Sequence, residues 1–265
     1  MPDPHGTDIS KIRGRLLGER NLFSVSELFH ENSRISRSAP RIAQSPQSAL
    51  VAPAGFKRYI YAPRVALPDP RTAETDSIWD IMTSRRSGRS YSGQGIDLQS
   101  VSDLAFYALG TPDKGQRRCV PSGGGLYPLE LYVVVARVEQ LPAGLYHYDP
   151  RSHALCELGR ADGLASVRQA VFIPEAVDNA AAVFVLTAVF GRSKIKYGER
   201  AYRFSLLEAG HVMQNICLAA TALRLGVCPV GGFVDDEMND LLDVDGVEEA
   251  VLYAALIGSL DTIDG

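Results

Sequence analysis

The chain has 265 residues, of which 46% are hydrophobic and 22% are charged, and its formal net charge is -4. This composition is typical of a globular protein that is long enough to bury a core, in one large domain or two small ones. The acidic balance and the lack of basic blocks argue against a nucleic-acid partner or an anionic membrane surface. The longest apolar run, residues 180–190, is shorter than the roughly 20 residues that a membrane-spanning helix needs.

Cysteine spacing and the N-terminal residues give further exclusions. The four cysteines show neither CxxC nor Cys/His spacing, which argues against a zinc site and against a disulfide framework. We expect them to be small buried apolar side chains, and we expect no bound metal. Residues 1–5 show neither the basic nor the apolar segment of a secretory signal, so the expected compartment is the cytoplasm.

Residues 1–70 are predicted to be an N-terminal extension that is partly irregular. A helical pattern covers residues 11–30, and residues 33–55 are rich in Ser, Pro, Ala and Arg. Three prolines then indicate an extended stretch. Regular helix and strand patterns begin near residue 71, and residues 71–265 are predicted to form the main domain.

Helices and strands are mixed in this domain but do not alternate as βαβ units, which favours a layered α+β fold over a doubly wound one. Asp97 is the predicted N-cap of the second helix, Gly110 its end, and Gly226 the end of the longest helix. The predicted helices cover residues 74–84, 98–109, 161–170, 201–225 and 235–242. The predicted strands cover residues 129–138, 144–149, 154–158, 181–190, 227–233 and 250–257.

Two arginines and a serine, Arg85, Arg86 and Ser87, stand at the end of the first of these helices. Two guanidinium groups and a hydroxyl can bind a phosphate or the ring oxygens of an anionic cofactor. Positive side chains also suit the C-terminus of a helix, where they are simply solvated. On the residues alone, both interpretations stay open.

A glycine-rich loop follows, with Ser122 ahead of three successive glycines and Glu130 at the start of a strand. The glycines let a backbone approach a flat ligand closely, although a simple turn is the alternative. The loop matches neither GxGxxG before a helix nor a Walker loop, so neither nucleotide site is expected. Glu130 could orient a donor in the loop or be an ordinary exposed residue. Gly231 and Gly232 end a later strand and pose similar alternatives: a backbone N–H facing a ring atom, or a turn.

Lys196 and Tyr197 are adjacent, just ahead of the longest predicted helix. An ammonium group lowers the pKa of a neighbouring phenol, so such a pair can take a proton from a substrate. The alternative is a charged loop before a helix, which the residues alone favour. His211, on the helix itself, has no second histidine at ligand spacing, so metal binding is not supported.

Together, five segments resemble the FMN-dependent nitroreductase-like superfamily and, within it, the SagB-type dehydrogenases, the azoline oxidases of thiazole/oxazole-modified peptide pathways. The similarity covers roughly residue 29 to the C-terminus, and the order and spacing of the segments carry it. The segments are residues 29–34, 85–87, 122–128, 196–203 and 208–211.

The resemblance implies an α+β subunit with a mixed or antiparallel central sheet flanked by helices, in a homodimer that binds FMN at the subunit interface. Arg85, Arg86 and Ser87 would contact the flavin phosphate and pyrimidine oxygens. Ser122, Gly123 and Leu126 would pack near the ring, and Gln214 would contribute polar contacts. Gly231 and Gly232 would bring backbone donors to the hydride-accepting nitrogen.

Lys196 and Tyr197 match the family's catalytic pair, and the motif does not show which of them removes the proton. The implied reaction takes one proton and one hydride from a thiazoline or oxazoline, with the flavin accepting the hydride and oxygen reoxidising it. The substrate would be an azoline-containing peptide or a carrier-bound intermediate. A cyclodehydratase or a synthetase is the expected partner enzyme.

Two other functions stay open on the sequence. One is a different flavin reaction on the same fold, either α,β-dehydrogenation of amino-acid residues or reduction of nitro compounds and quinones by NAD(P)H. The other is a non-catalytic partner in a peptide-modifying complex. The adjacent Lys196 and Tyr197 argue against the second, because a scaffold has no need of them.

Overall fold

The computed structural model describes residues 25–34, 55–71, 76–113 and 117–260, and in them the chain forms a seven-stranded sheet. The strands are β1 (Arg64–Ala66), β2 (Leu129–Val135), β3 (Gly144–Asp149), β4 (Ala154–Gly159), β5 (Ala182–Val189), β6 (Leu225–Val230) and β7 (Glu249–Ser259). Their order is β1-β4-β3-β2-β5-β7-β6, and every neighbouring pair is antiparallel. The predicted α+β class is confirmed, and the sheet is antiparallel.

Helices cover both faces of this sheet. They are α1 (Val25–Asn32), α2 (Ile78–Ser84), α3 (Leu98–Leu109), α4 (Gly163–Ala170), α5 (Gly191–Tyr197), α6 (Arg200–Ala222) and α7 (Asp235–Leu242). Helices α3 and α6 pack on one face, and α4 and α7 pack on the other. No helix in the described part of the chain is long and apolar enough to cross a membrane.

The alternation of side chains along β2 explains why the sheet needs helices on both faces. Leu131 and Val133 pack among residues of α3 and α6, whereas Tyr132 and Val134 pack among residues of α4 and α7. All seven residues of β2 are buried, because successive side chains of a strand point to opposite faces. The neighbouring β5 is buried in the same way, as its unbroken apolar run predicts.

Helix ends follow the predicted capping residues where a polar side chain is free to cap. The Asp97 carboxylate accepts a hydrogen bond from the Ser100 N–H at 2.7 Å, and Gly110 ends α3, so both predictions are confirmed. Helix α2 begins at Ile78, later than predicted, because the Ser77 side chain caps it by accepting from the Asp80 N–H. Helix α4 likewise begins at Gly163 rather than residue 161.

The end of α6 corrects the prediction for Gly226. The helix stops at Ala222, and Arg224 makes the turn with a φ of 56°. Gly226 lies within β6, where a Cβ would come within 2.7 Å of Leu260 and 2.9 Å of the Tyr91 ring. The glycine therefore serves close packing in the sheet and does not terminate the helix.

The predicted extension contributes to the sheet. Strand β1 pairs with β4 at one edge, with Val65 opposite Leu155. Helix α1 ends at Asn32, and the earlier part of the helix predicted over residues 11–30 lies outside the described residues. So does most of the irregular stretch predicted for residues 33–55.

Candidate active site

The glycine-rich loop and the Lys-Tyr pair meet at one end of the sheet. Leu129, the first residue of β2, lies opposite Ala188, near the end of β5. The loop that precedes β2 and the helix α5 that follows β5 therefore emerge side by side. The antiparallel register thus brings together two motifs that are far apart in sequence.

The loop forms a short 3-10 turn over Gly123–Gly125, in which Gly124 has a φ of 66°. A Cβ on Gly124 would lie 2.5 Å from the Tyr197 hydroxyl and 2.8 Å from the Lys196 Nζ. A Cβ on Gly125, with a φ of 68°, would meet no other heavy atom within 4 Å. The turn therefore touches the Lys-Tyr pair on one side and faces open space on the other.

Lys196 and Tyr197 belong to the last turn of α5, so the alternative of a charged loop is wrong. The Lys196 Nζ lies 5.2 Å from the centre of the Tyr197 ring, which packs edge-on against Phe204 at 5.0 Å. Lys196 is exposed and Tyr197 is half-buried. The sequence did not predict α5, because its seven residues lack an apolar period.

A buried ion pair fixes α5 to the sheet and to the turn. The Arg192 Nη2 lies 2.5 Å from the Glu130 Oε1, and the Arg192 Nη1 donates to the Tyr127 carbonyl at 3.2 Å. Burial raises the pKa of Glu130, but a hydrogen bond with His147 and the charge of Arg192 outweigh it and hold that pKa at about 2. Glu130 is therefore a buried anchor, not an exposed strand residue, and it orients the loop through Arg192.

Lys57 of the extension enters the same cluster. Its backbone N–H donates to the Glu130 Oε1 at 3.0 Å, and its Nζ lies 2.7 Å from both the Tyr132 hydroxyl and the Glu249 Oε2. Thr187 also donates to Glu249, at 2.7 Å. The cluster therefore joins the extension to the ends of β2, β5 and β7, directly beside the candidate site.

Sequence reasoning missed Arg192 as a member of this site. A signal was available: an arginine follows one buried apolar strand and a glutamate begins another. Opposite charges next to two buried strands indicate a pair, because an unpaired buried charge is costly. Lys57 offered no comparable signal, since its partners come from strands more than seventy residues away.

Glu208 of α6 lies on the buried side of the turn. It is 3% exposed, and burial raises its pKa to about 7 against hydrogen bonding with Ser122 and the charge of Arg118. Glu208 belongs to segment 208–211 of the family pattern, for which the sequence predicted no role.

Arg85, Arg86 and Ser87 lie elsewhere, at the end of α2. The Arg86 Nη1 donates to the carbonyls of Thr83 and Arg85 at 2.8 and 2.9 Å, which is the helix-end role left open by the sequence. Arg85 is half-buried, and its Nη1 lies 3.5 Å from the Ser87 hydroxyl. Both arginines keep further N–H groups that can bind an anion.

The remaining predicted residues lie after β6, on α6 and beside the glycine turn. Gly231 and Gly232 directly follow β6 and are exposed, and Gln214 is exposed on α6. Leu126 is half-buried beside the glycine turn. In the described part of the chain, no group of three or more His, Cys, Asp or Glu side chains is placed to hold a metal ion.

The length of α6 gives the separation between the glycine turn and the segment of residues 85–87. Phe204, near the start of α6, lies beside Gly123 of the turn, where a Cβ would come within 3.4 Å of the Phe204 ring, whereas the charge of Arg85 acts on Cys217, near the end of the helix. At a rise of 1.5 Å per residue, these positions are roughly 20 Å apart along the helix. One subunit therefore does not bring the arginines next to the glycine turn.

Helix α1 docks on the start of α6, which brings segment 29–34 of the family pattern against segment 196–203, the one that contains the Lys-Tyr pair. Arg203 donates to the Ser33 hydroxyl, and Arg200 donates to the Ser33 carbonyl at 2.6 Å. The Phe29 ring packs edge-on against Tyr202 at 5.5 Å. The contacts fix α1 to the first turn of α6, next to α5.

Comparison with known sequences identifies the family and three relatives. Residues 82–259 match the Nitroreductase family. MJ1384 of Methanocaldococcus jannaschii, which carries a nitroreductase name, is 36% identical over 185 residues, 68% of this chain and 89% of the relative. The microcin B17-processing protein McbC of Escherichia coli is 27% identical, over 70% of this chain and 73% of McbC. The trifolitoxin-processing protein TfxB of Rhizobium leguminosarum is 31% identical, over 61% of this chain and 47% of TfxB.

Solved structures share the fold. A nitroreductase-named protein of Anabaena variabilis superposes with a TM-score of 0.72 at 25% identity, over 92% of this chain; the chain spans about half, 49%, of that longer protein. The E. coli microcin synthetase complex McbBCD, with truncated pro-MccB17 bound, contains a chain that superposes with a TM-score of 0.58 at 23% identity, over 96% of this chain and 92% of the other. With the seven-stranded sheet and the family match over residues 82–259, the chain belongs to the nitroreductase family of flavin-dependent oxidoreductases.

Proposed function

We propose that this protein is an FMN-dependent dehydrogenase that oxidises thiazoline or oxazoline rings in a peptide to thiazole or oxazole. The observation that carries the proposal is the packing of the glycine turn against Lys196 and Tyr197. It places two candidate proton acceptors directly beside a backbone segment with an open face. The names of McbC and TfxB, both peptide-processing proteins, support a peptide substrate.

The residues present fit a flavin. The face of Gly125 is open, and the exposed Gly231 and Gly232 leave backbone free to approach a flat ring. Ser122, Gly123 and Leu126 complete the proposed ring contacts, and Gln214 would add polar contacts. Arg85, Arg86 and Ser87 would hold the phosphate and pyrimidine oxygens. When bound, FMN supplies the acceptor for the hydride.

The chain's own residues would position the substrate and move its proton. Lys196 and Tyr197 lie together at the end of α5. One of them would take the proton from one ring carbon of the azoline, while the hydride leaves the neighbouring ring carbon. Arg192 and Glu130 hold α5 in place, so the pair does not have to be ordered when substrate binds. The aromatic ring that forms provides the driving force.

We further propose a homodimer with the flavin at its interface. In one subunit the arginines and the glycine turn lie far apart along α6, so a second copy would bring its arginines to the first subunit's turn. Large apolar side chains are available for such an interface, since Trp79 is 72% exposed and Leu207 is 58% exposed. Light scattering on the purified protein tests this, and a monomer that binds flavin fully would contradict it.

A cyclodehydratase or synthetase is the proposed partner. The support is the fold shared with a chain of the McbBCD complex, which has truncated pro-MccB17 bound. We also propose that residues 1–70 act as an extension to a flavin-binding domain of residues 71–265. Ser33 after α1, Lys57 and β1 are among the parts of this extension that contact the domain.

The test is a visible spectrum of the purified protein, before and after anaerobic addition of an azoline peptide. We expect a flavin spectrum that is bleached by the peptide. Lys196→Ala and Tyr197→Phe should keep the flavin and lower turnover by about 10²–10⁴-fold, the usual contribution of a general base. Lys194→Ala is the matched control, because Lys194 is an exposed lysine on the same helix. Full turnover in both variants would refute the assigned roles.

Reduction of nitro compounds or quinones by NAD(P)H is the second candidate function. The observation that favours it is the nitroreductase name of MJ1384, which is 36% identical to this chain. Rapid NAD(P)H consumption with a nitroarene, together with no bleaching by an azoline peptide, would select this function over the first.

A further inference from the structure

Phe172 is a large apolar side chain that is 71% exposed, just after α4. Its backbone is nevertheless fixed. The preceding Val171 is 4% exposed and pairs with Phe233 in an antiparallel bridge, and the Phe172 N–H donates to the Gly232 carbonyl at 3.4 Å. The main chain therefore holds the ring at one place, beside the glycines that follow β6, although most of the ring is exposed.

Gly231 and Gly232 leave the sheet between two aromatic rings. A Cβ on Gly232 would lie 3.3 Å from the Phe172 Cδ2, and a Cβ on Gly231 would lie 3.8 Å from the Tyr253 Cε2. Phe172 follows α4, which packs on one face of the sheet, whereas Tyr253 packs against the cluster of α3 and α6 on the other. Tyr253 is half-buried, so Phe172 presents the more exposed ring to a ligand at the two glycines.

The backbone conformation does not explain why Gly232 is a glycine. Neither Gly231 nor Gly232 has a positive φ, so any residue could adopt their conformation. At position 232, however, the space for a side chain is already taken by the Phe172 ring, because a Cβ would have to approach it closely. The missing side chain leaves both the backbone of Gly232 and the near side of the ring uncovered. A single exposed phenylalanine is unremarkable, but one whose neighbour leaves it uncovered is placed to receive a ligand.

We propose that Phe172 is a specificity-determining residue, whose ring packs against the azoline ring of the substrate. This inference rests on the proposed function, in which Gly231 and Gly232 bring backbone donors to the flavin nitrogen that accepts the hydride. The substrate carbon that gives up the hydride must lie close to that nitrogen. The azoline therefore comes close to Gly232, and the ring that the backbone fixes beside Gly232 is within its reach.

The chemistry of the two rings suits this contact. An azoline is a small ring with a sulfur or an oxygen atom, and it becomes an aromatic azole in the product. Aromatic side chains pack favourably against flat rings and against sulfur. Phe172 has no group that transfers a proton, so its contribution is to binding and orientation of the substrate. Because its backbone is fixed and its side chain has only two rotatable bonds, little freedom is lost when the substrate binds.

The experiment measures steady-state turnover of a short synthetic peptide that carries one thiazoline, at saturating FMN. Phe172→Ala should raise the KM about tenfold and leave kcat within about threefold of the wild type, because ring packing contributes to binding. Phe172→Tyr keeps the ring and should stay within about threefold in both constants. Tyr61→Ala is the control, since Tyr61 is an aromatic residue that is 94% exposed ahead of β1, at the opposite edge of the sheet from β6.

The thiazole form of the same peptide measures binding without chemistry. As a competitive inhibitor, its Ki should rise about tenfold in Phe172→Ala and stay near the wild-type value in Phe172→Tyr. The Kd of FMN, measured by quenching of flavin fluorescence, should stay within about threefold in every variant. General damage to the fold would instead weaken flavin binding and lower kcat as well.

Several outcomes would overturn the inference. Unchanged KM and Ki in Phe172→Ala would do so. A loss of FMN affinity as large as the rise in KM would place the ring against the flavin instead. A wild-type dimer that becomes a monomer in Phe172→Ala, as seen by light scattering, would place the ring at a subunit interface.

The remaining outcomes separate this inference from the proposed function. If Phe172→Ala does not fold, as judged by circular dichroism, Phe172→Leu takes its place; it keeps an apolar side chain without the flat ring, and a KM equal to that of the wild type contradicts the inference. A wild type that does not oxidise the thiazoline peptide defeats the proposed function and the inference together. Wild-type turnover that is indifferent to position 172 defeats the inference alone.

Discussion

The two ends of α6 differ in how firmly their functional groups are held. At the start of the helix, the glycine turn and the Lys-Tyr pair are fixed by Arg192 and Glu130, each with a side chain 3% exposed. Near its end, Arg85 is half-buried with its Nη1 near the Ser87 hydroxyl, and Arg86 is exposed and donates to backbone carbonyls of its own segment. One end is therefore rigid in a single subunit, whereas the other presents cations to solvent.

This difference matches the chemistry proposed for each end. Proton transfer depends on geometry within fractions of an ångström, so the groups that perform it need buried support. Binding of a phosphate depends mainly on charge and tolerates flexible side chains. The contrast also explains why a second subunit is proposed for the arginine end, while the Lys-Tyr end is assembled within one chain.

The largest expected effect comes from breaking the rigid end. Arg192→Met should lower the free energy of unfolding by about 3–5 kcal/mol, because it leaves Glu130 buried without its arginine partner. Arg168→Met is the control: it breaks an exposed pair whose side chains are 50% and 48% exposed, and it should cost less than about 1 kcal/mol. Urea unfolding measures both, and equal losses would show that the buried pair anchors nothing.

Next comes the pH dependence of stability that Glu208 creates. Its pKa is about 7 in the folded protein, against an ordinary value of 4.5, so the folded state holds this proton more tightly than the unfolded state. Raising the pH from about 4.5 to 7 therefore favours unfolding, and the contribution levels off above pH 7. Relative to Glu208→Gln, the wild type should lose up to about 3 kcal/mol across this window. Urea unfolding of both proteins at pH 5, 6, 7 and 8 checks this, and a constant difference would contradict it.

A slightly smaller effect distinguishes the two faces of the glycine turn. Gly124→Ala places a methyl group against Lys196 and Tyr197, whereas Gly125→Ala points into open space. Both glycines have a positive φ, so the backbone strain, about 1–2 kcal/mol, is shared. Turnover at saturating FMN should fall about 10²-fold in the first variant through displacement of the pair, and much less in the second. Equal losses would mean that contact with the pair is unimportant.

The smallest effect tests the exposed end. Arg85→Ala and Arg86→Ala should each weaken FMN binding by about tenfold, the loss of one hydrogen bond to a charged group. Flavin fluorescence quenching measures the Kd, with Arg168→Met again as the control. Unchanged affinity in both variants would leave the arginines with their helix-end role alone.

Local signals predicted much of the fold. Asp97 and Gly110 delimit α3 as predicted, because capping depends on a few neighbouring residues. The buried strand β5 was also predicted correctly, because an unbroken apolar run is a signal within one segment of the chain. Helix α5 was missed because it is short and is held by Arg192 through partners distant in sequence. Gly226 was misassigned because its close contacts with Leu260 and Tyr91 exist only in the folded sheet.

The candidate site was predicted as a set of residues, but its arrangement was not. Sequence order gave no sign that Gly124 touches Lys196 and Tyr197, which depends on the register between β2 and β5. Nor did it indicate that Arg85 lies at the opposite end of α6. Such facts follow from strand pairing, which periodicity along one segment does not encode.

Lys57 has a practical consequence for where the protein can be cut. The residues that match the family begin at residue 82, yet the ammonium group that neutralises Glu249 comes from residue 57. A polypeptide trimmed to the matching span would retain two buried acids, Glu130 and Glu249, without this donor. The unit that folds by itself therefore reaches further toward the N-terminus than the family boundary, and expression trials should keep that stretch.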